Sequence, residues 1–248
     1  MTQKLAGKVA VVVGGTGGVG RSAARMLAEE GATVVVTHRP RKPEAGAFLK
    51  DLPGSGHVAL PADVADTPSL IALKDDVVKR FGRCDILVNS AGFTKPVPHG
   101  DLDALDDELI DRMFQVNWRG QFATIRAFAP LLKASGDGLI VNISSIAAFN
   151  GAGSSIVYGA VKAGMDTMSK SLARVLAPEV RIMSISPGVV DTTFVAGRGA
   201  EFNAKTAATT PLKRVATPDD VAAAVIACAT HLKYSTGSII LVDGGRAL

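Results

Sequence analysis

Residues 8–20 read Lys8-Val9-Ala10-Val11-Val12-Val13-Gly14-Gly15-Thr16-Gly17-Gly18-Val19-Gly20, and a stretch of helical period runs on from about Gly18 to Glu30. The unbroken apolar run Val9 to Val13 is what a strand buried on both faces of a parallel sheet requires. Glycines placed between that strand and a helix let backbone amides and the positive end of the helix dipole approach a pyrophosphate, where a Cβ would block the way. The five glycines fit three frames: Gly15-x-Gly17-x-x-Gly20, Gly14-x-x-Gly17-x-x-Gly20 and Gly14-x-x-x-Gly18-x-Gly20. Alone, such a loop reads equally well as a flexible turn; the strand before it, the helix after it and the βαβ spacing point to a dinucleotide.

The pattern repeats outward from this unit. Short Val/Ile/Leu runs bounded by turn residues alternate with longer stretches of helical period, which predicts an α/β fold with helices on both faces of a parallel sheet. The strands are expected at Lys8–Val13, Thr33–Thr37, His57–Leu60, Asp85–Val88, Gly138–Ile143, Arg181–Ser186 and Ser238–Val242. The second strand ends at His38 and Arg39. A carboxylate there would bond both ribose hydroxyls, whereas arginine suits a 2′-phosphate, so NADP(H) is favoured and NAD(H) is the alternative. Arg41 and Lys42 add basic charge nearby. Residues 189–211 are weakly periodic and long for a connection, the mark of a substrate lid.

Composition narrows the class. The 248 residues are 47% hydrophobic and 20% charged, a globular mix that suits one domain over residues 1–248. The longest apolar run, Val221 to Ala229, is nine residues, too short for a membrane span. A net charge of +4 without a basic stripe gives no nucleic-acid surface. Cys84 and Cys228 form neither a disulfide framework nor a zinc motif, and the amino terminus has no apolar signal region, so a cytoplasmic location is expected.

Chemistry is concentrated downstream. Tyr158 and Lys162 stand four apart on a helical segment and share one face. Ser145 lies 13 residues before Tyr158, just past a predicted buried strand, at the sheet end where open parallel sheets bind ligands. A phenol is a poor acid or base at neutral pH until a nearby ammonium lowers its pKa, the role expected of Lys162. Tyr158 would then exchange a proton with a carbonyl oxygen while the Ser145 hydroxyl holds that oxygen.

On these residues the chain resembles the short-chain dehydrogenase/reductase family over nearly its whole length. The family pattern Thr-Gly-x-x-x-Gly-x-Gly falls on Val13 to Gly20 with Val13 replacing threonine, which selects Gly14, Gly18 and Gly20 and makes Gly15 and Gly17 positions the motif does not require. Asp63-Val64 matches the adenine-side pair, and Asn89-Ser90-Ala91-Gly92 is similar to the family's Asn-Asn-Ala-Gly turn. Asn117 aligns with the asparagine of a proton-relay water, and Pro187-Gly188-Val189-Val190-Asp191-Thr192 with the segment over the nicotinamide.

The resemblance implies a Rossmann-type doubly wound sheet of seven parallel strands in the order 3-2-1-4-5-6-7. It makes Asn117, Ser145, Tyr158 and Lys162 catalytic. Cofactor contacts fall to Gly14, Thr16, Gly17, Gly18, Val19, Gly20, His38, Arg39, Asp63, Val64, Asn89, Ala91, Gly92, Tyr158, Lys162, Pro187, Gly188, Val190 and Thr192. The substrate is expected to be a small carbonyl compound or secondary alcohol, and the assembly a homotetramer or homodimer through the helices of Asn117 and Tyr158 and the last strand. A 3-oxoacyl-carrier-protein reductase, with Lys95, Arg119, Arg126 and Lys133 facing an acidic carrier, and a non-catalytic NADP(H)-binding regulator are the alternatives.

Overall fold

A computed structural model describes residues 3–40 and 43–248, so Arg41 and Lys42 lie outside the described residues. Seven strands, β1 (Val9–Val13), β2 (Thr33–His38), β3 (Val58–Pro61), β4 (Ile86–Asn89), β5 (Gly138–Ile143), β6 (Val180–Pro187) and β7 (Ser238–Val242), pair in parallel in the order β3-β2-β1-β4-β5-β6-β7. The register sets Val11 between Val35 of β2 and Leu87 of β4. The expected strands and their order are thus present. Chain order reverses at β1, which has β2 on one side and β4 on the other; such a switch point opens a crevice at the strand ends.

The helices are α1 (Gly18–Glu29), α2 (Thr67–Phe81), α3 (Asp107–Phe114), α4 (Gly120–Ala134), α5 (Ala147–Asn150), α6 (Ile156–Leu176), α7 (Ala200–Thr209) and α8 (Pro218–Thr230). α1 and α8 cover one face of the sheet, where Leu27, Val221 and Val225 meet Val12, Val34 and Val141. α2, α4 and α6 cover the other, where Leu73, Phe128 and Met165 meet Val11, Leu87 and Ile140. With both faces covered, β1, β4 and β5 are buried at every residue, which is why their sequences do not alternate. No helix among the described residues is long and apolar enough to cross a membrane.

Two features differ from the sequence reading. Residues 189–211, expected as an irregular lid, contain the ten-residue helix α7. Its only buried residue is Thr206, so it carries no apolar stripe to betray its period. The helix bearing Asn117 is not uniform: Gln115–Arg119 form a π-helical turn between α3 and α4, a distortion common at functional sites. Val161, Met165 and Met168 of α6, a face that suits core packing and subunit contact equally well in the sequence, are buried in the core.

Candidate active site

The crevice at the carboxyl ends of the strands is a cavity of about 620 Å³. Gly17, Gly18 and Val19 line one side, Ala91, Gly92 and Ser145 its floor, Tyr158 and Lys162 its wall, and Pro187 to Val190, Thr192 and Phe194 the opposite rim. Residues some 130 positions apart in sequence therefore share one chamber.

The glycine end is held by backbone. Gly14 has φ +78°, and a Cβ on it would stand 2.6 Å from the Ala91 nitrogen; a Cβ on Gly20 would stand 2.3 Å from the Gly14 carbonyl oxygen. Gly15 departs from the motif reading, which made it dispensable, because its Cβ would meet the Val36 Cβ at 2.7 Å and the Val12 carbonyl oxygen at 2.9 Å. Gly17 fits that reading, its nearest atom being 3.5 Å away. The bracing hydroxyl lost with Val13 is supplied from the neighbouring strand: the Gly14 N–H donates to Thr37 Oγ1 at 2.9 Å. Gly17 begins α1 without a side-chain cap, which leaves first-turn amides facing the cavity. A loop that excludes Cβ atoms and ends in uncapped amides fits a pyrophosphate.

Other expected cofactor residues lie off the chamber. His38 ends β2 and its Nδ1 meets the Arg39 carbonyl at 2.9 Å. Arg39 is exposed, and its side chain makes no ion pair or hydrogen bond among the described residues. Asp63 and Val64 follow β3, with Asp63 Oδ1 accepting from the Ala65 N–H. Asn89 is turned away: its side chain is buried and its Nδ2 donates to Asn142 Oδ1 at 2.9 Å. Asn142 in turn donates to Ser169, and both are buried in the core.

On the catalytic side, local structure sets each group. Ser155 caps α6 by accepting the Tyr158 N–H, so the tyrosine sits in the first turn. Lys162, one turn on, is buried and its Nζ donates to the Ile143 carbonyl at 2.7 Å, with the ammonium 5.7 Å from the Tyr158 ring centroid. Ser145 Oγ accepts from the Ala147 N–H at 3.2 Å, leaving its own proton free to donate. Asn117 is fully buried; its Oδ1 accepts from the Phe93 N–H at 3.0 Å and its Nδ2 donates to the Phe93 and Met113 carbonyls. Its amide thus pins the strand-end loop beside Gly92 rather than facing the cavity.

Burial dominates the electrostatics. It pushes the Tyr158 phenol up to about 12, against the Ser145 hydroxyl and the Arg198 charge, which pull it down. It presses the Lys162 ammonium down to about 8, opposed by the Asp166 carboxylate. Arg198, a residue the sequence reading passed over, adds a second positive charge near the phenol, in addition to the Lys162 ammonium. Asp166 was missed too, though a carboxylate amid Val161, Met165 and Met168 is an anomaly visible in the sequence. Both of its oxygens lack a hydrogen-bond partner, and burial raises its pKa against the nearby Ser144 and Ser184 hydroxyls. Phe194, also missed, packs its ring 6.3 Å from that of Tyr158. No cluster of potential metal ligands occurs among the described residues.

Comparison with known proteins bears on this geometry. Residues 14–247 match the family model described as enoyl-(acyl carrier protein) reductase. A Streptomyces violaceoruber protein named as a ketoacyl reductase of the granaticin polyketide synthase is 37% identical over 97% of this chain and 96% of its own. The cis-4-hydroxycyclohexanecarboxylate dehydrogenase of Sinomonas cyclohexanicum is 36% identical over 99% and 98%. The solved structure of a short-chain dehydrogenase/reductase from Brucella melitensis superposes with a TM-score of 0.90, at 31% identity over 99% of both chains.

Proposed function

The chain belongs to the short-chain dehydrogenase/reductase family of oxidoreductases, and on that premise we propose that it is an NADP(H)-dependent enzyme interconverting a carbonyl and a secondary alcohol. The observation that carries this reading is that Ser145, Tyr158 and Lys162 line the same cavity as the Cβ-intolerant glycine loop. Both relatives named above support the class, one by its ketoacyl activity and the other by a substrate with a ring hydroxyl.

Gly14 to Gly20 would hold the pyrophosphate, Arg39 the 2′-phosphate, and Ala91, Gly92, Lys162, Val190 and Thr192 the nicotinamide half. When bound, the dinucleotide supplies or accepts the hydride. Ser145, its hydroxyl proton free, donates a hydrogen bond to the substrate oxygen and fixes it beside Tyr158. Tyr158 gives its proton to that oxygen in reduction and takes it back in oxidation. Burial keeps the Tyr158 phenol protonated in the free protein, so the proton needed for carbonyl reduction is in place, and its transfer depends on a nearby cation to stabilise the phenolate. Lys162, fixed by the Ile143 carbonyl, stabilises the phenolate left behind, and Asn117 holds residue 93 and the turn that faces them.

The chain is further read as one catalytic domain whose 189–211 segment acts as a lid, working in the cytoplasm as a homotetramer or homodimer. The unpaired edge of β7 and exposed Tyr234, Leu241 and Leu248 support association at that end. The carrier-protein alternative stays open: a relative named as a ketoacyl reductase favours it, and Lys95, Arg119, Arg126 and Lys133 lie outside the cavity lining, where only an outer docking surface could use them. A panel of ketones, aldehydes and acyl thioesters assayed with NADPH and NADH tests the whole reading. Turnover of a ketone with NADPH preferred is expected; cofactor binding without turnover of any substrate would overturn it in favour of a regulator.

A further inference from the structure

The charged side chains lining the cavity are Lys162, Arg198 and Arg246, and no carboxylate accompanies them. Lys162 is placed in the reaction; Arg246 is not, and Arg198 bears on Tyr158 only through its charge, which acts alike on acid and ester substrates. The two arginines reach the chamber from distant parts of the chain, Arg198 from the segment before α7 and Arg246 from the residues after β7. Arg198 is half-buried, lies 4.6 Å over the Phe202 ring and makes no ion pair among the described residues. Arg246 is fixed at the end of α7, where its Nη1 donates to Thr209 Oγ1 at 3.0 Å and to the Thr206 carbonyl at 3.4 Å. Burial and the neighbouring Arg246 charge both disfavour the Arg198 charge. Two guanidiniums lining the same open end of the cavity, neither in an ion pair among the described residues, leave a site that an anion completes.

We propose that Arg198 and Arg246 form a carboxylate subsite at the lid end of the cavity, which makes the substrate an oxo acid, or the matching hydroxy acid, with its carbonyl at Tyr158. The planar fork of arginine suits a carboxylate through paired hydrogen bonds. The carboxylate takes no part in the electron count: hydride adds to the carbonyl carbon, Tyr158 protonates the oxygen, and the acid group leaves unchanged. Phe194, Val195 and Phe202 supply an apolar span between the two polar ends of such a molecule.

This subsite rests on the carbonyl-reduction reading, and the two are separable by experiment. The assay compares 4-oxocyclohexanecarboxylate with its methyl ester, and 5-oxohexanoate with its methyl ester, using NADPH. The acids should exceed the esters at least tenfold in kcat/KM, carried by KM, and Arg198→Gln should lower that ratio by about tenfold, the worth of the charged hydrogen bond it removes. A ratio near unity in the unsubstituted protein, or one that survives in Arg198→Gln, would overturn the subsite while leaving reduction intact. Calorimetric binding of cyclohexanecarboxylate against cyclohexanecarboxamide gives a second reading without turnover. Selective binding of the acid, lost in both Arg198→Gln and Arg246→Gln, is expected even if no carbonyl is reduced; equal affinity for acid and amide would overturn the subsite. Absence of turnover with selective acid binding would remove the reductase reading alone.

Discussion

The two ends of the cavity are built from different materials. At the β1–α1 end the surface is backbone: Gly14, Gly15 and Gly20 are packed so tightly against Ala91, Val36 and one another that no Cβ fits. At the opposite end the surface is side chain: Phe194, Arg198 and Phe202 from the 189–211 segment and Arg246 after β7 line it, and a Cβ added to Gly197 or Gly199 would meet nothing within 4 Å. On the proposed reading the first end would hold the part common to every dinucleotide and so must keep one shape; the second can vary without disturbing the sheet. Generic chemistry is therefore fixed by backbone, and substrate choice is left to side chains on a lightly packed rim.

The floor between the ends should give the largest effect. Tyr158→Phe is expected to lower kcat by about a thousandfold or more, as for loss of a general acid, with NADPH affinity nearly unchanged in a fluorescence titration. Retained turnover would place the proton donor elsewhere. Next comes the backbone end. Gly20→Ala should lower the melting temperature by roughly 5 °C or more, since overpacking costs about 1–3 kcal/mol in a protein of this size, whereas Gly17→Ala, with its nearest atom at 3.5 Å, should shift it little. Equal shifts in the two would break the contrast drawn between the ends.

Arg39→Ala sharpens the same comparison at the far edge. It should weaken NADPH by about tenfold or more, the worth of a charged hydrogen bond, and NADH far less; equal losses would remove the 2′-phosphate contact. The smallest effect is electrostatic. Lys162 is pressed down to about 8 from an ordinary 10.5, so between those values the unfolded chain binds more protons and stability rises with pH. Below pH 8 the cost of burying the ammonium is fully present. Lys162→Met should therefore melt higher than the parent at pH 7, with the gap closing as pH rises from about 8 towards 10.5. A gap that widens instead would reverse the sign of the burial effect.

The contrast between the ends also explains what was legible in the sequence. β1, β4 and β5 could be read because burial on both faces forces unbroken apolar runs, and Tyr158 and Lys162 because a helix converts a spacing of four into proximity. Strand order was legible only through family resemblance, since no residue states its neighbour across a sheet. Thr37 as the brace for Gly14 and Val36 as the wall for Gly15 depend on the β1–β2 register, which pairs residues 24 positions apart and so brings these side chains to the glycine loop. Arg198 and Arg246 were invisible for the same reason in stronger form: no spacing links them, and α7, exposed along nearly its whole length, shows no periodicity to anchor them.

The central claim is that the backbone end and the Ser145–Tyr158–Lys162 wall serve one reaction. It is tested most directly by supplying NADPH deuterated at the transferable C4 position with a ketone panel and reading the products by mass spectrometry. A secondary alcohol carrying deuterium on its carbinol carbon, formed by the parent protein and lost in Tyr158→Phe while the cofactor remains bound, is the predicted result. Bound cofactor with no deuterated alcohol from any carbonyl, or undiminished transfer in Tyr158→Phe, would contradict it.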